Sequence, residues 1–391
     1  MTYFIGIDIA KFKHDCFIMD HNGEVIRNSF TFKNDAIGFN ELLSVLNQLQ
    51  PEQEKRIGFE ATGHYAMNLK IFLEEHNYSF MEINPIFINE FSKASTLRRT
   101  KTDKKDAQLI SKFLSAKEYK PYPSKSYHIK NLKSLTRSRE SLVKDRSKLL
   151  VHMTNVLDLV FPEYKPFFKK SLTSATCLYI LEEYTTPSKI SRMTIDSYNK
   201  MKSKLRNTIS YARFLQLKHL AKNTIGTEDD ILIFQLYTYL DLYKMYVEKI
   251  NEIDKKIKLE MEEINTHITS IPGIGPISAA AIYSELNGVQ CFESPSQIQA
   301  FAGIDPSTND SGEHSYSGHM VKRGSPYLRQ VLMNVAESSL IHNPKIYEYY
   351  RKKRDEGKHH RVALSHVAKK LVRIIFYLEK HNQDFCIEYM R

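Results

Sequence analysis

Four acidic residues occupy positions where a solvated surface charge is not expected. Asp8 closes the apolar run YFIGI, where an unpaired carboxylate is costly. Glu60 follows IGF, and Asp103 and Asp106 stand three residues apart in RRTKTDKKDAQLI, a spacing that puts both on one side of a helix. Like charges repel, and a shared cation is one reason to keep them together; four oxygen donors suit hard Mg²⁺ or Mn²⁺. Two such ions about 4 Å apart activate an attacking oxygen and stabilise a leaving one in phosphodiester chemistry. The surrounding Arg98, Arg99, Lys101, Lys104 and Lys105 fit a phosphate backbone alongside. Taken singly, each acid has an ordinary account, Asp8 as a turn cap and the Asp-x-x-Asp pair as a solvated helix face. The set of four points to chemistry.

The elements that must carry these acids begin with alternating runs YFIGIDI, HDCFIMD and EVIRNSFTF, the last two separated by Asn22-Gly23, a strong hairpin signal. Residues 35 to 50 have helical spacing up to Pro51, and KRIGFEA and YSFMEIN read as short strands on either side of a helix over 64 to 76. The order β-β-β-α-β-α-β-α is that of a ribonuclease-H-like domain, in which the first and fourth strands are neighbours. Asp8 and Glu60 then approach each other, with the helix of Asp103 and Asp106 packed across them.

Beyond residue 125 the chain reads as helical, with Leu135, Leu142, Leu149 and Val156 seven apart and Ile250, Ile253, Ile257 and Ile264 repeating three-four spacing. Both patterns are coiled-coil seams, able to pair with each other or with a second subunit. Residues 161 to 226 show mixed helical patterns and no identifiable chemistry. At SIPGIGPISAAAIYSEL, Gly273 and Gly275 form either a helix-hairpin-helix turn whose N–H groups face a DNA phosphate or a tight packed turn between helices. The segment FAGIDPSTNDSGEHSYSGHMVKRGSPYLRQ that follows reads as a long, irregular polar loop, a frequent place for function.

The chain of 391 residues has a net charge of +11, which favours an anionic partner. The excess is local: residues 90 to 150 hold 17 basic and 6 acidic side chains, and 320 to 391 hold 15 and 7, including Lys322, Arg323, Arg351, Lys352, Lys353 and Arg354. The four cysteines lie far apart without a Cys-x-x-Cys pair, which argues against a disulfide framework or thiolate zinc site. No membrane span or signal peptide is legible, so a cytoplasmic, nucleoid-associated protein is expected.

At these residues the chain resembles the "one-ten" family of insertion-sequence transposases, whose members are bridge-RNA-guided DNA recombinases. GIDIAKFKHD, EATGHY, INP at 83 to 85 and KTDKKDA resemble its N-terminal DEDD, RuvC-like domain, while IPGIG, FAGIDP, DSG and KRGSPYLR resemble its C-terminal transposase domain. The likeness covers roughly 1 to 160 and 250 to 391; residues 161 to 226 have no counterpart. It implies that Asp8, Glu60, Asp103 and Asp106 bind Mg²⁺ and that a serine attacks DNA to form a phosphoserine intermediate. The family's serine follows a turn of the FAGIDP kind and precedes a glycine, which selects Ser311 over Ser307, Ser315, Ser317 and Ser325. Ser325 is instead expected to cap a helix opened by Pro326. A serine hydroxyl needs activation, and with no convincing His–Asp pair beside Ser311, although His314 is close, the carboxylate-held metal is the simpler source. That requires the two domains to meet, which in the family happens between subunits, with the coiled-coil segments building the dimer.

The expected architecture is an RNase H-like domain at 1–124, a helical coiled-coil region at 125–269 with the unread insertion, and a mostly helical transposase domain at 270–391 with a helix-hairpin-helix-like turn. The expected partners are DNA at the element ends and target, a guide RNA implied by the resemblance, and further copies of the chain. One alternative is a metal nuclease that resolves branched DNA with activated water; another is a non-enzymatic DNA-binding protein. Nucleic-acid affinity should fall steeply with salt. Neutral replacements of Arg351, Lys352, Lys353 and Arg354 should flatten that slope in a binding titration; an unchanged slope would mark a merely solvated face.

Overall fold

The computed structural model describes residues 2–61, 63–95, 103–119, 121, 127–169, 172–311 and 314–387; within these, the side chains of 64, 95, 103, 104, 127, 128 and 307–319 lie outside the description. The chain divides into two units, Met1–Ser124 and Lys125–Arg391.

The first unit is built on β1 (Thr2–Ile9), β2 (Lys13–Met19), β3 (Val25–Lys33), β4 (Glu54–Glu60) and β5 (Phe80–Ile83), in the order β3-β2-β1-β4-β5. The first three strands form an antiparallel meander, and β4 and β5 run parallel to β1. At the Asn22-Gly23 turn, the Asp20 carboxylate accepts the N–H groups of Asn22 and Glu24 at 2.9 and 2.8 Å, and Gly23 takes the positive φ such a turn requires. One sheet face packs Ile5, Ile7 and Ile57 against Leu42 and Leu46 of α1 (Ala36–Gln48) and Leu69 and Leu73 of α2 (Met67–Glu75). The other packs Phe4, Phe17 and Ile83 against Ile88 of α3 (Pro85–Ser95) and Ala107, Ile110 and Phe113 of α4 (Asp103–Ala116).

Among its described residues, the second unit is helical apart from one hairpin. Helix α5 (Tyr127–Val160) and α11 (Asp230–Glu262) lie antiparallel within the chain: Asn131 bonds Glu260, Arg139 pairs with Asp254, and His152 stacks on Tyr239. Between them, the stretch without a sequence reading forms α6 (Tyr164–Phe167), α7 (Ala175–Tyr184), α8 (Pro187–Ser191), α9 (Ile195–Lys204) and α10 (Tyr211–Lys222). These close over a core of Phe161, Tyr164, Ile180 and Phe214 shared with Met153 of α5 and Leu236 of α11. Helices α12 (Pro276–Leu286), α13 (Pro295–Ala302), α14 (Pro326–His342), α15 (Pro344–Asp355) and α16 (His360–His381) make the remaining bundle.

The segment expected as an irregular loop contains an antiparallel pair, β6 (Pro306–Ser311) and β7 (His314–Met320). Its polar residues lack the apolar alternation by which strands are read from sequence, and cross-strand backbone hydrogen bonds form regardless of side chain. The turn around Gly273 packs inward: its φ is +96°, and a Cβ there would stand 2.7 Å from the Ser339 Cα of α14, while Gly275 opens α12 into free space. Only a three-residue 3₁₀ turn, Ile268–Ser270, precedes this glycine turn.

A buried ion cluster joins α5, α12 and the start of α14. Glu285 receives Arg137 Nε at 2.7 Å and a second guanidinium N–H at 3.1 Å, with Lys133 at 3.6 Å and the Ser325 hydroxyl donating at 2.9 Å. Burial alone would push the Glu285 carboxyl up; the Arg137 hydrogen bonds, the two cations and Ser325 outweigh it and hold it below the ordinary carboxylate range. The resulting stability is present above the unfolded-state pKa and is lost as pH falls through the lower folded value. Because Lys133 and Ser325 remain on Glu285 and Arg137 is partly exposed, Arg137→Leu should cost about 2 kcal/mol at neutral pH and less in acid, measured as denaturant unfolding at both pH values.

Candidate metal and DNA-processing site

Strand register positions the first two acids. The parallel pairing of β1 with β4 runs from Thr2↔Glu54 to Ile7↔Phe59. One residue further, at the carboxyl ends of both strands, stand Asp8 and Glu60, on one face and about 5 Å apart by strand spacing. Both are half-buried.

Helix α4 crosses that same face. The Ser111 hydroxyl donates to the Phe4 carbonyl at 2.7 Å, and a Cβ on Gly6 would stand 2.2 Å from the Ala107 carbonyl, so the helix lies directly on the β1 backbone. The Ala107 carbonyl and the Ser111 backbone N–H both lie over Gly6, and the Ser111 hydroxyl reaches from there to Phe4. Asp106, next to Ala107, is half-buried, and Lys105 is exposed.

A further carboxylate lies in the same row. The β1–β2 turn pairs Asp8 directly with Asp15 and Ile9 with His14. Asp15 pairs onward with Thr31 of β3, whose hydroxyl donates to its Oδ1 at 2.5 Å. Across four strands the face therefore reads Thr31, Asp15, Asp8, Glu60. Asp15 is only 3% exposed. Its signal was present in the sequence: a tight turn at Lys11-Phe12 gives positions summing to 23 as partners, hence 8 with 15. His14 faces the opposite side, against Phe32 and Phe39, where burial holds it below the ordinary histidine range.

Among the described residues, no three His, Cys, Asp or Glu side chains are grouped closely enough to hold an ion. The side chain of Asp103, the first residue of α4, lies outside that description, as do the Lys104 side chain and residues Arg98, Arg99 and Lys101 altogether. The donors that are described, carboxylates at adjoining strand ends, have the chemistry of a hard divalent ion's ligands.

In the second unit, Ser311 ends β6 and is paired through the backbone with His314 at the hairpin tip; the side chains of Ser307, Ser311, His314, Ser315 and Ser317 lie outside the description. Ser325 caps α14 by accepting the Leu328 N–H, with Pro326 in the first turn. Lys322 and Arg323 are exposed, on a strap bound to the end of α13 through Lys322 N–H to Gly303 O and Ser325 N–H to Phe301 O. On α15, Arg351, Lys352 and Arg354 are exposed, whereas Lys353 pairs with Glu356 at 2.8 Å, which Lys358 also engages at 2.9 Å. Among the described residues, no helix is long and apolar enough to cross a membrane.

Two family profiles match the chain: one described as a transposase, of the IS110 DEDD type, over residues 5–162, and one for the IS116/IS110/IS902 transposase family over 265–351. The protein of insertion element IS116 from Streptomyces clavuligerus is 23% identical over 97% of this chain and 95% of its own length. The mini-circle putative transposase for IS117 from Streptomyces coelicolor is 21% identical over 98% and 95%. A pilin gene-inverting protein of Moraxella lacunata is 34% identical over 37% of this chain and 45% of its own. The profiles fall on the sheet with its carboxylate row and on the hairpin-bearing bundle, and the full-length relatives span both: the chain belongs to the IS110/IS116 family of insertion-sequence transposases.

Proposed function

We propose that this transposase is a Mg²⁺- or Mn²⁺-dependent DNA recombinase that cuts and rejoins strands through Ser311, its first unit being an RNase H-like, RuvC-like domain. The observation that carries the metal assignment is the placement of Asp8 and Glu60 side by side at the ends of adjoining parallel strands, on the sheet face where α4 packs against Gly6. Asp8, Glu60, Asp103 and Asp106 would hold the ion, which would supply Lewis-acid stabilisation of the oxygens around the reacting phosphorus.

The chain's own residues do the rest. The Ser311 hydroxyl loses its proton as Oγ attacks the phosphorus; an Oγ–P bond forms, the DNA P–O bond breaks, and the departing oxygen leaves as a hydroxyl. Attack on the phosphoserine by a hydroxyl of the other strand returns the proton to Oγ and rejoins DNA. One phosphodiester is made for each one broken, so no external energy source is needed. The assignment is supported by the place of Ser311 at the end of β6, beside the hairpin turn. Lys104, Lys105, Arg98, Arg99 and Lys101 near the acids, and Gly275, Lys322, Arg323, Arg351, Lys352 and Arg354 on the second unit, would hold phosphates; Gly273 and Lys353 are better suited to packing and to the Glu356 pair. Multimers built through the long helices and a guide RNA, acting at the nucleoid, follow from the family likeness.

Incubation with DNA carrying the element ends, resolved on a denaturing gel, should give a protein–DNA adduct for the wild type and none for Ser311→Ala. Strand cutting retained by Ser311→Ala would overturn the serine assignment in favour of water-driven cleavage. Asp8→Asn and Glu60→Gln should each lower cleavage by about 100- to 1,000-fold, the scale of losing one preorganised charge-stabilising group.

A further inference from the structure

Asp15 is not one of the four acids assigned to the metal, yet it is the most deeply buried member of the carboxylate row. It stands directly opposite Asp8 in the antiparallel pair, where facing residues have Cβ atoms about 5 Å apart. At 3% exposure it is too enclosed to reach DNA, and the Thr31 hydroxyl at 2.5 Å fixes its Oδ1. A buried anion facing another anion is destabilising in the absence of a cation.

We propose that Asp15 is a positioning residue for the metal site: a fixed negative charge, oriented by Thr31, that strengthens divalent-ion binding by the neighbouring Asp8 without itself touching substrate. The fold provides the alignment, because the turn between β1 and β2 pairs position 8 with position 15 and the next pairing sets 15 against 31. Neutralising such a residue behind a metal ligand typically weakens the ion about 10- to 100-fold. A side chain serving only as structure would leave ion affinity unchanged.

This inference rests on the metal assignment proposed above, and Mn²⁺ titration by calorimetry, with thermal melting in EDTA, separates the two. Asp15→Asn keeps the shape and an oxygen that accepts from Thr31. It should bind Mn²⁺ about 10- to 100-fold more weakly than the wild type and melt at an equal or higher temperature in EDTA. Unchanged Mn²⁺ affinity, or a lower melting temperature in EDTA with affinity intact, would overturn the proposal. If wild type itself binds no Mn²⁺, while Asp8→Asn behaves identically, the metal assignment fails and this inference with it. Should Asp15→Asn not fold, Thr31→Val supplies the second reading: it leaves the charge but removes its brace, and Mn²⁺ affinity must fall below wild type, an unaltered value counting against the role.

Discussion

The close contact of α4 with the backbone of β1 is the constraint on which the first unit depends. Gly6 leaves room for the Ala107 carbonyl where any side chain would collide, and the Ser111 hydroxyl ties the helix to Phe4. That contact holds α4 on the sheet face that also carries Asp8 and Glu60.

The second unit uses a different device for the same purpose. The Arg137–Glu285–Ser325 cluster binds the long helix α5 to the core helix α12 and to the cap of α14. The strap before that cap continues directly from β7, and its backbone bonds to α13 hold the base of the hairpin. The hairpin bearing Ser311 thus springs from an anchored place in the bundle.

Much of the first unit was legible because its signals are local. Asn22-Gly23 specifies a hairpin, the apolar alternation of β1 and β4 specifies strands, and an acid ending each run stands out. Asp15 carries no local signal within HDCFIMD; only counting the pairs across the Lys11-Phe12 turn sets it opposite Asp8. The β6–β7 hairpin was hidden by Ser, Thr, Asn and Asp residues that give no hydrophobic period. Residues 161 to 226 were unreadable since their core, from Phe161 to Phe214, is assembled from several short helices whose apolar faces make sense only together. The Arg137–Glu285 pair, 148 positions apart, has no sequence signature.

The most direct measurement is anomalous diffraction from crystals soaked in Mn²⁺. A peak is expected at about 2 Å from carboxylate oxygens of both Asp8 and Glu60. A structure with Mn²⁺ bound elsewhere, or with none between those two strand ends at saturating concentration, would contradict the metal role on which the proposed chemistry stands.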